Sequence, residues 1–165
     1  MSVNKHQPHV LVLPEDDANR QLANGFFLDR AFWNRGSSFQ VLEEVGGWRN
    51  VLDRFKSDHI KNMERYPKRF MVLLIDFDDE LDRLKMARAA IPPDLAERVF
   101  VLGALTEPEA LRRAGLGSYE AIGLALAQDC RDETERIWGH DLFRHNAEEL
   151  ARLREHVRPT LFPSS

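Results

Sequence analysis

Phe70-Met71-Val72-Leu73-Leu74-Ile75, followed at once by Asp76-Phe77-Asp78-Asp79-Glu80-Leu81-Asp82, is the stretch that decides the fold. Six consecutive apolar residues leave no solvent-facing side, so the run reads as a strand buried on both faces of a parallel sheet. The acidic knot marks where that strand ends. His9 to Leu13 (HVLVL) repeats the arrangement with Glu15-Asp16-Asp17 behind it, and Phe39 to Val45 and Arg98 to Leu102 are shorter, poorer versions. Segments of helical period separate the four strands. They are carried by Leu22, Ala23, Phe26 and Phe27, then by Trp48, Val51, Leu52, Phe55, Ile60 and Met63, then by Leu81 and Leu84, and last by Ala110, Leu111 and Ala114. This alternation predicts an α/β, three-layer Rossmann-like fold: an about four-stranded, mainly parallel sheet with helices on both faces.

Beyond residue 115 the pattern is helical only, with stripes at Ile122, Ala125 and Leu126 and at Leu150, Leu153 and Val157 that suit packing on the sheet edge. The expected organisation is a disordered N-terminus at 1–8, an α/β core at 9–115, a helical extension of the same domain at 116–158 and a loose tail at 159–165. Thr106-Glu107-Pro108-Glu109 and Asn146-Ala147-Glu148-Glu149 read as helix starts of the capping-box kind. A chain of 165 residues suits one domain, burying roughly 70% of its unfolded surface without a disulfide or structural metal.

Cys130 is the only cysteine. It excludes an internal disulfide and a cysteine-rich zinc site, and it fits a reducing compartment. The longest apolar run falls far short of the roughly twenty residues that span a bilayer, and Met1 to Pro8 lacks the apolar core of a signal peptide. A soluble, cytoplasmic protein with no membrane contact is expected.

The formal net charge of −4, from 23 Lys+Arg and 27 Asp+Glu, argues against a protein that coats nucleic acid unaided. The charge is unevenly spread. Between Arg30 and Arg69 nine basic residues stand against five acidic ones, whereas the negative charge gathers in the two knots behind the first and third strands.

In an open parallel sheet, functional groups collect at the carboxyl ends of strands where the strand order reverses. Glu15 falls there, as do Asp76 and Asp78, which in extended backbone point the same way and can present two carboxylates to one point. Carboxylates brought together raise one another's pKa unless a cation sits among them. All-oxygen ligation with room for water and phosphate is what Mg²⁺ or Mn²⁺ prefers. Asp16, Asp17 and Asp79 are auxiliary candidates, and each is equally well placed to cap the next helix.

Glu15 behind the first strand and Asp76-Phe77-Asp78 behind the third resemble the TOPRIM domain of topoisomerases, primases and overcoming-lysogenization-defect nucleases, over roughly His9 to Gly115. The resemblance implies a catalytic Glu15, which also shares the metal, and a metal-binding pair, Asp76 and Asp78. It further implies Mg²⁺- or Mn²⁺-dependent phosphoryl transfer on DNA or RNA, with an ATPase partner as in phage-defence nucleases. The chain departs from the pattern in carrying Asp16 where members often have Gly, and Asn19 where the nucleases often add an acid. Arg49, Lys56 and Lys68, from the basic segment, are the candidate nucleic-acid contacts, and a homodimer is a further possible assembly.

Val10 to Asp17 with Arg20, and Leu73-Leu74-Ile75-Asp76, also resemble response-regulator receiver domains, which implies phosphorylation on Asp76. No Lys follows Lys85, where a receiver needs one, and the spacing from Glu15 to Asp76 is long for that family. A catalytically silent interaction protein, docking through its C-terminal helices, is the third reading. His140 and His145 are candidate ligands or proton donors on a spacing that suits core or surface histidines better. Trp138, Leu142 and Phe143 are expected to pack the C-terminal helices, and Cys130 to be an inert apolar residue.

Overall fold

The computed structural model describes residues 3–162. Four strands, β1 (His9–Pro14), β2 (Phe39–Val41), β3 (Arg69–Leu74) and β4 (Val99–Leu102), form one parallel sheet in the order β2-β1-β3-β4. Register pairs Val10 with Phe39 and with Phe70, and Met71 with Val99. The strands therefore fall where apolar runs predict them, except that β2 is shorter. Leu42 and Val45 still donate to Val12 O and Pro14 O, but irregularly, as the chain turns toward the next helix.

Alternate residues divide the sheet between two cores. Val10, Val12, Phe39, Val72, Phe100 and Leu102 pack beneath α1 (Asp17–Phe26), α5 (Pro108–Arg113), α6 (Tyr119–Asp132), α7 (Ala147–His156) and α8 (Arg158–Leu161). Leu11, Leu13, Met71, Leu73, Val99 and Val101 face α2 (Trp48–Arg54), α3 (Ile60–Arg65) and α4 (Asp82–Ala89). A single π-type turn, Phe55–His59, joins α2 to α3 and buries Phe55 completely. Helices thus cover both faces of the parallel sheet, as such a sheet requires.

α1 and α6 cross in backbone contact. A Cβ on Gly123 would stand 1.9 Å from Leu22 O, and one on Gly25 would stand 2.1 Å from Glu120 O. Only glycine permits that approach, and it is what brings Ile122, Leu126 and Cys130 over the sheet.

The outer edge of β4 is closed by side chains. Glu149 of α7 accepts the Val101 N–H at 2.9 Å, and Asn146 accepts from Gly103 N at 3.2 Å while donating to Gly103 O at 3.0 Å. An edge strand left open would invite pairing with another chain. This role corrects the expectation that Asn146 caps α7: its side chain makes no capping bond, because it is committed to β4. Thr106 likewise caps nothing, since α5 starts after Glu107 without a side-chain cap.

Both ends of the described chain are held. Val3 is buried and Asn4 N–H donates to Ser37 O at 3.0 Å. Residues expected as a loose tail complete α8 and bury Leu161 and Phe162, whose ring lies 5.5 Å from Phe32. The outermost residues of both expected termini, 1–2 and 163–165, lie outside the described residues. None of the helices is long and apolar enough to cross a membrane, among the described residues.

Gly123→Ala places a methyl group against rigid backbone on α1. The helix-propensity gain of about 1 kcal/mol is outweighed by overpacking, and urea denaturation is expected to show a net loss of about 2 kcal/mol.

Candidate functional site

The chain runs from β1 out to β2, then crosses back over β1 to β3, so the strand order reverses between β1 and β3. The crevice outside their carboxyl ends is where Glu15 and Asp76 stand. Glu15 Oε2 accepts the Asp76 backbone N–H at 2.6 Å, which ties the two strand ends together. Asp16 caps α1, its Oδ1 accepting from Asn19 N at 2.8 Å. The fully buried Asn19 then shares its amide: Nδ2 donates to Asp16 Oδ1 at 2.9 Å and to Asp76 Oδ1 at 2.8 Å.

Two carboxyls thereby share one neutral amide, and a third, Glu15, is tied to the Asp76 backbone. Burial pushes Asp76 up to about 8; the Asn19 hydrogen bond opposes this, and the negative charges of Asp16 and Glu15 add to it. Burial also raises Glu15, against the pull of the Asp76 N–H. Asp76 therefore gives up its proton less readily than an exposed carboxyl does.

Asp78 leaves this group. Extended backbone would aim Asp76 and Asp78 the same way, but Asp78 and Asp79 adopt left-handed conformations with φ of 50° and 59°, and the alternation ends at Phe77. The turn follows β4: Ile75, Phe77 and Asp78 donate to Leu102 O, Ala104 O and Thr106 O. A Cβ on residue 103 would strike Ile75 O at 1.6 Å, so Gly103 is what admits this approach. Asp78 is largely exposed and sits 3.6 Å from Arg83, while Asp79 faces solvent. Asp17, also exposed, pairs with Arg20 and Gln21. Among the described residues, no three His, Cys, Asp or Glu side chains are arranged as a metal-holding group.

Arg83 gives no sequence signal, yet it organises the rim. It donates to Asp76 O at 2.8 Å, lies near Asp78 and Glu80, and stacks 4.9 Å from the Trp48 ring centroid. Arg49 stacks on the same ring at 4.8 Å. Two guanidinium groups and one indole thus border the crevice, and Arg49 is the predicted contact that lies there. Lys56 is exposed on the π-type turn, farther down the helix. Lys68 precedes β3 and so stands at the opposite edge of the sheet, about 25 Å from Asp76 along the strand.

The histidines and the cysteine serve packing. His145 is half-buried, bonds Gly103 O at 2.7 Å and meets the Phe77 ring edge-on at 5.0 Å; burial lowers its pKa. His140 Nδ1 accepts the Leu142 N–H at 3.1 Å. Trp138 and Phe143 are buried against each other, and burial pushes the Cys130 thiol up to about 11, leaving it protonated.

Comparison with protein-family models, curated proteins and solved structures finds no match.

A carboxyl whose pKa rises on folding binds a proton that the unfolded chain releases, so stability is greatest below about pH 4 for this group and falls as pH climbs toward about 8. In EDTA, Asp76→Asn is expected to flatten that dependence and to stabilise the protein by about 1–2 kcal/mol at pH 8 to 9, allowing for solvent screening. Thermal melts across pH 5 to 9 check it.

Proposed function

We propose that this protein is a metal-dependent phosphotransfer enzyme of the TOPRIM type, a nuclease subunit acting on nucleic acid. The observation that carries the proposal is the placement of Glu15 and Asp76 at the strand-order reversal, where Glu15 Oε2 accepts the Asp76 N–H and Asn19 holds Asp76 beside Asp16; burial and these two acids raise the Asp76 pKa, a repulsion that a cation would relieve. The chemistry of the donors suits the group, since Glu15, Asp16 and Asp76 carry hard oxygen atoms of the type that Mg²⁺ and Mn²⁺ favour, and these side chains would have to draw together from their present positions to hold the ion. When bound, the ion would polarise a phosphoryl oxygen and offset the charge that develops there.

The protein's own groups would do the rest. Glu15, raised toward neutrality by burial, is suited to exchange a proton with the oxygen at the scissile bond. Asn19 fixes the rotamers of Asp16 and Asp76. Asp78, one of the metal-binding pair by the same resemblance, would have to release Arg83 to join the ion, and Arg83 would then be free to meet a phosphate. Arg49 on Trp48 extends that positive rim. With a net charge of −4, the chain would rely on a partner for further positive surface, an ATPase domain or subunit by the same resemblance.

Titration calorimetry with MnCl₂ is expected to show binding by the wild-type protein that Asp76→Asn and Glu15→Gln lose, with cleavage of a labelled nucleic acid falling more than about 100-fold. Undiminished cleavage by Asp76→Asn would refute the assignment. A mass gain of one phosphate on Asp76 after incubation with acetyl phosphate would favour the receiver-like reading instead.

A further inference from the structure

The end of the sheet opposite the carboxylates has the reverse chemistry. Tyr66 caps α3 just before β3 begins, and its ring is ringed by cations: Arg69 at 5.1 Å, Lys5 at 5.3 Å and Arg65 at 5.5 Å from the centroid, with His6 edge-on at 6.4 Å. Lys68 adds its charge at the same edge. Such close like charges lie within a Debye length and repel, a strain that cation–π contact with one ring only partly offsets.

No acid relieves it. Among the described residues, Lys5, Arg65, Lys68 and Arg69 form no ion pair. Asp58, nearby in sequence, is taken by Arg54, and Glu64 points into solvent.

Arg69 is the decisive group. It is only 5% exposed, a burial that charged side chains ordinarily reach only when paired. Its Nε donates to His9 Nε2 at 3.0 Å, and the His9 Nδ1 meets Gln7 O at 2.7 Å, so the inner end of the guanidinium is fixed by a neutral relay. Burial, and the charges of Arg69 and Lys5, hold His9 below its usual pKa. Among the described residues, the two terminal amino groups of Arg69 make no hydrogen bond, and they are not wholly sealed from solvent. A buried guanidinium held at its inner end, with slight solvent contact at its terminal amino groups and two exposed cations beside it, has the form of a receptor for a tetrahedral dianion or diester.

We infer that Arg69, Lys5 and Arg65 around Tyr66 form a phosphate-binding site at the amino edge of the sheet, separate from the carboxylate crevice. The phosphate belongs either to a nucleic-acid backbone or to a small phosphorylated molecule. The site needs no divalent ion, so it stands whether or not the carboxylates bind one.

The test is fluorescence anisotropy of a 5′-fluorescein-labelled 20-nucleotide oligothymidylate in EDTA, with pyrophosphate as competitor. Wild-type protein is expected to bind the strand. Lys5→Ala and Arg65→Ala, both at exposed positions, should each weaken binding at least threefold and lower the salt slope by about 0.7. Lys85→Ala, which removes an exposed cation on α4, should change nothing. Displacement by millimolar pyrophosphate that depends on Lys5 and Arg65 assigns the site to small phosphates as well, and strand binding that resists it assigns the site to the backbone of a nucleic acid. Calorimetry with pyrophosphate alone covers a protein that ignores the strand. Binding of neither probe, or binding that both variants retain in full, would overturn the inference.

Discussion

The reversal of the chain over β1 is the constraint from which the rest of this structure follows. Four parallel strands need helices on both faces, and a chain that places α1 on one face and α2 with α3 on the other must turn back across β1 to reach β3. That turn leaves a crevice between two neighbouring strand ends that no connection covers. Glu15 and Asp76 occupy it because each is the first or second polar residue after an apolar strand, and the bond from Asp76 N–H to Glu15 Oε2 locks them together. Desolvation at the crevice then does to Asp76 what no isolated acid would experience.

Closing the remaining edge falls to the C-terminal helices. β4 has a partner on one side only, and Glu149 and Asn146 present side-chain acceptors and a donor where another strand's backbone would be. Glu149 is itself buried, and Arg88 and Arg152 flank it. An ion network in that position specifies where α7 docks more than it stabilises, since removing one member leaves the others charged and desolvated. The extension beyond residue 115 is therefore a structural part of the sheet, continuous with the core through Leu102, Phe143, Leu153 and Val157.

How much of this was legible in the sequence depended on the range of the interaction. Strand positions came from unbroken apolar runs, which are local, and β1, β3 and β4 agree with them to within one residue at each end. Glu15 and Asp76 were legible for the same reason. Asp78 was misplaced because period-two reasoning holds only while the backbone stays extended, and nothing local announced left-handed residues at 78 and 79. Thr106 and Asn146 have the composition of caps, yet tertiary contacts fix what surrounds them. Arg83 and Trp48 were invisible as site residues, because each reaches the crevice from a different helix, whereas Asn19 drew notice only as a departure from the family pattern. Lys68 stands immediately before a strand and so belongs to the amino edge, away from carboxylates that follow the same strand.

The charge pattern is itself a consequence of the parallel topology. Every strand points one way and the helices return the other, so helix N-termini gather at the carboxyl edge of the sheet and helix C-termini at the amino edge. Acids are favoured at the first edge, as Asp16 shows by capping α1. Cations are favoured at the second, where Arg98 donates to Met63 O and Tyr66 O at the end of α3. Many of the charged groups are answered in this way, by a dipole, a carbonyl or an opposite charge. Two of the more buried ones stand apart. Asp76 has neighbours of its own sign and is partly shut off from water, and Arg69 has a histidine on one side and, among the described residues, no ion pair. A net charge of −4 averages over these two ends and conceals both, whereas the fold separates them by about the length of a strand.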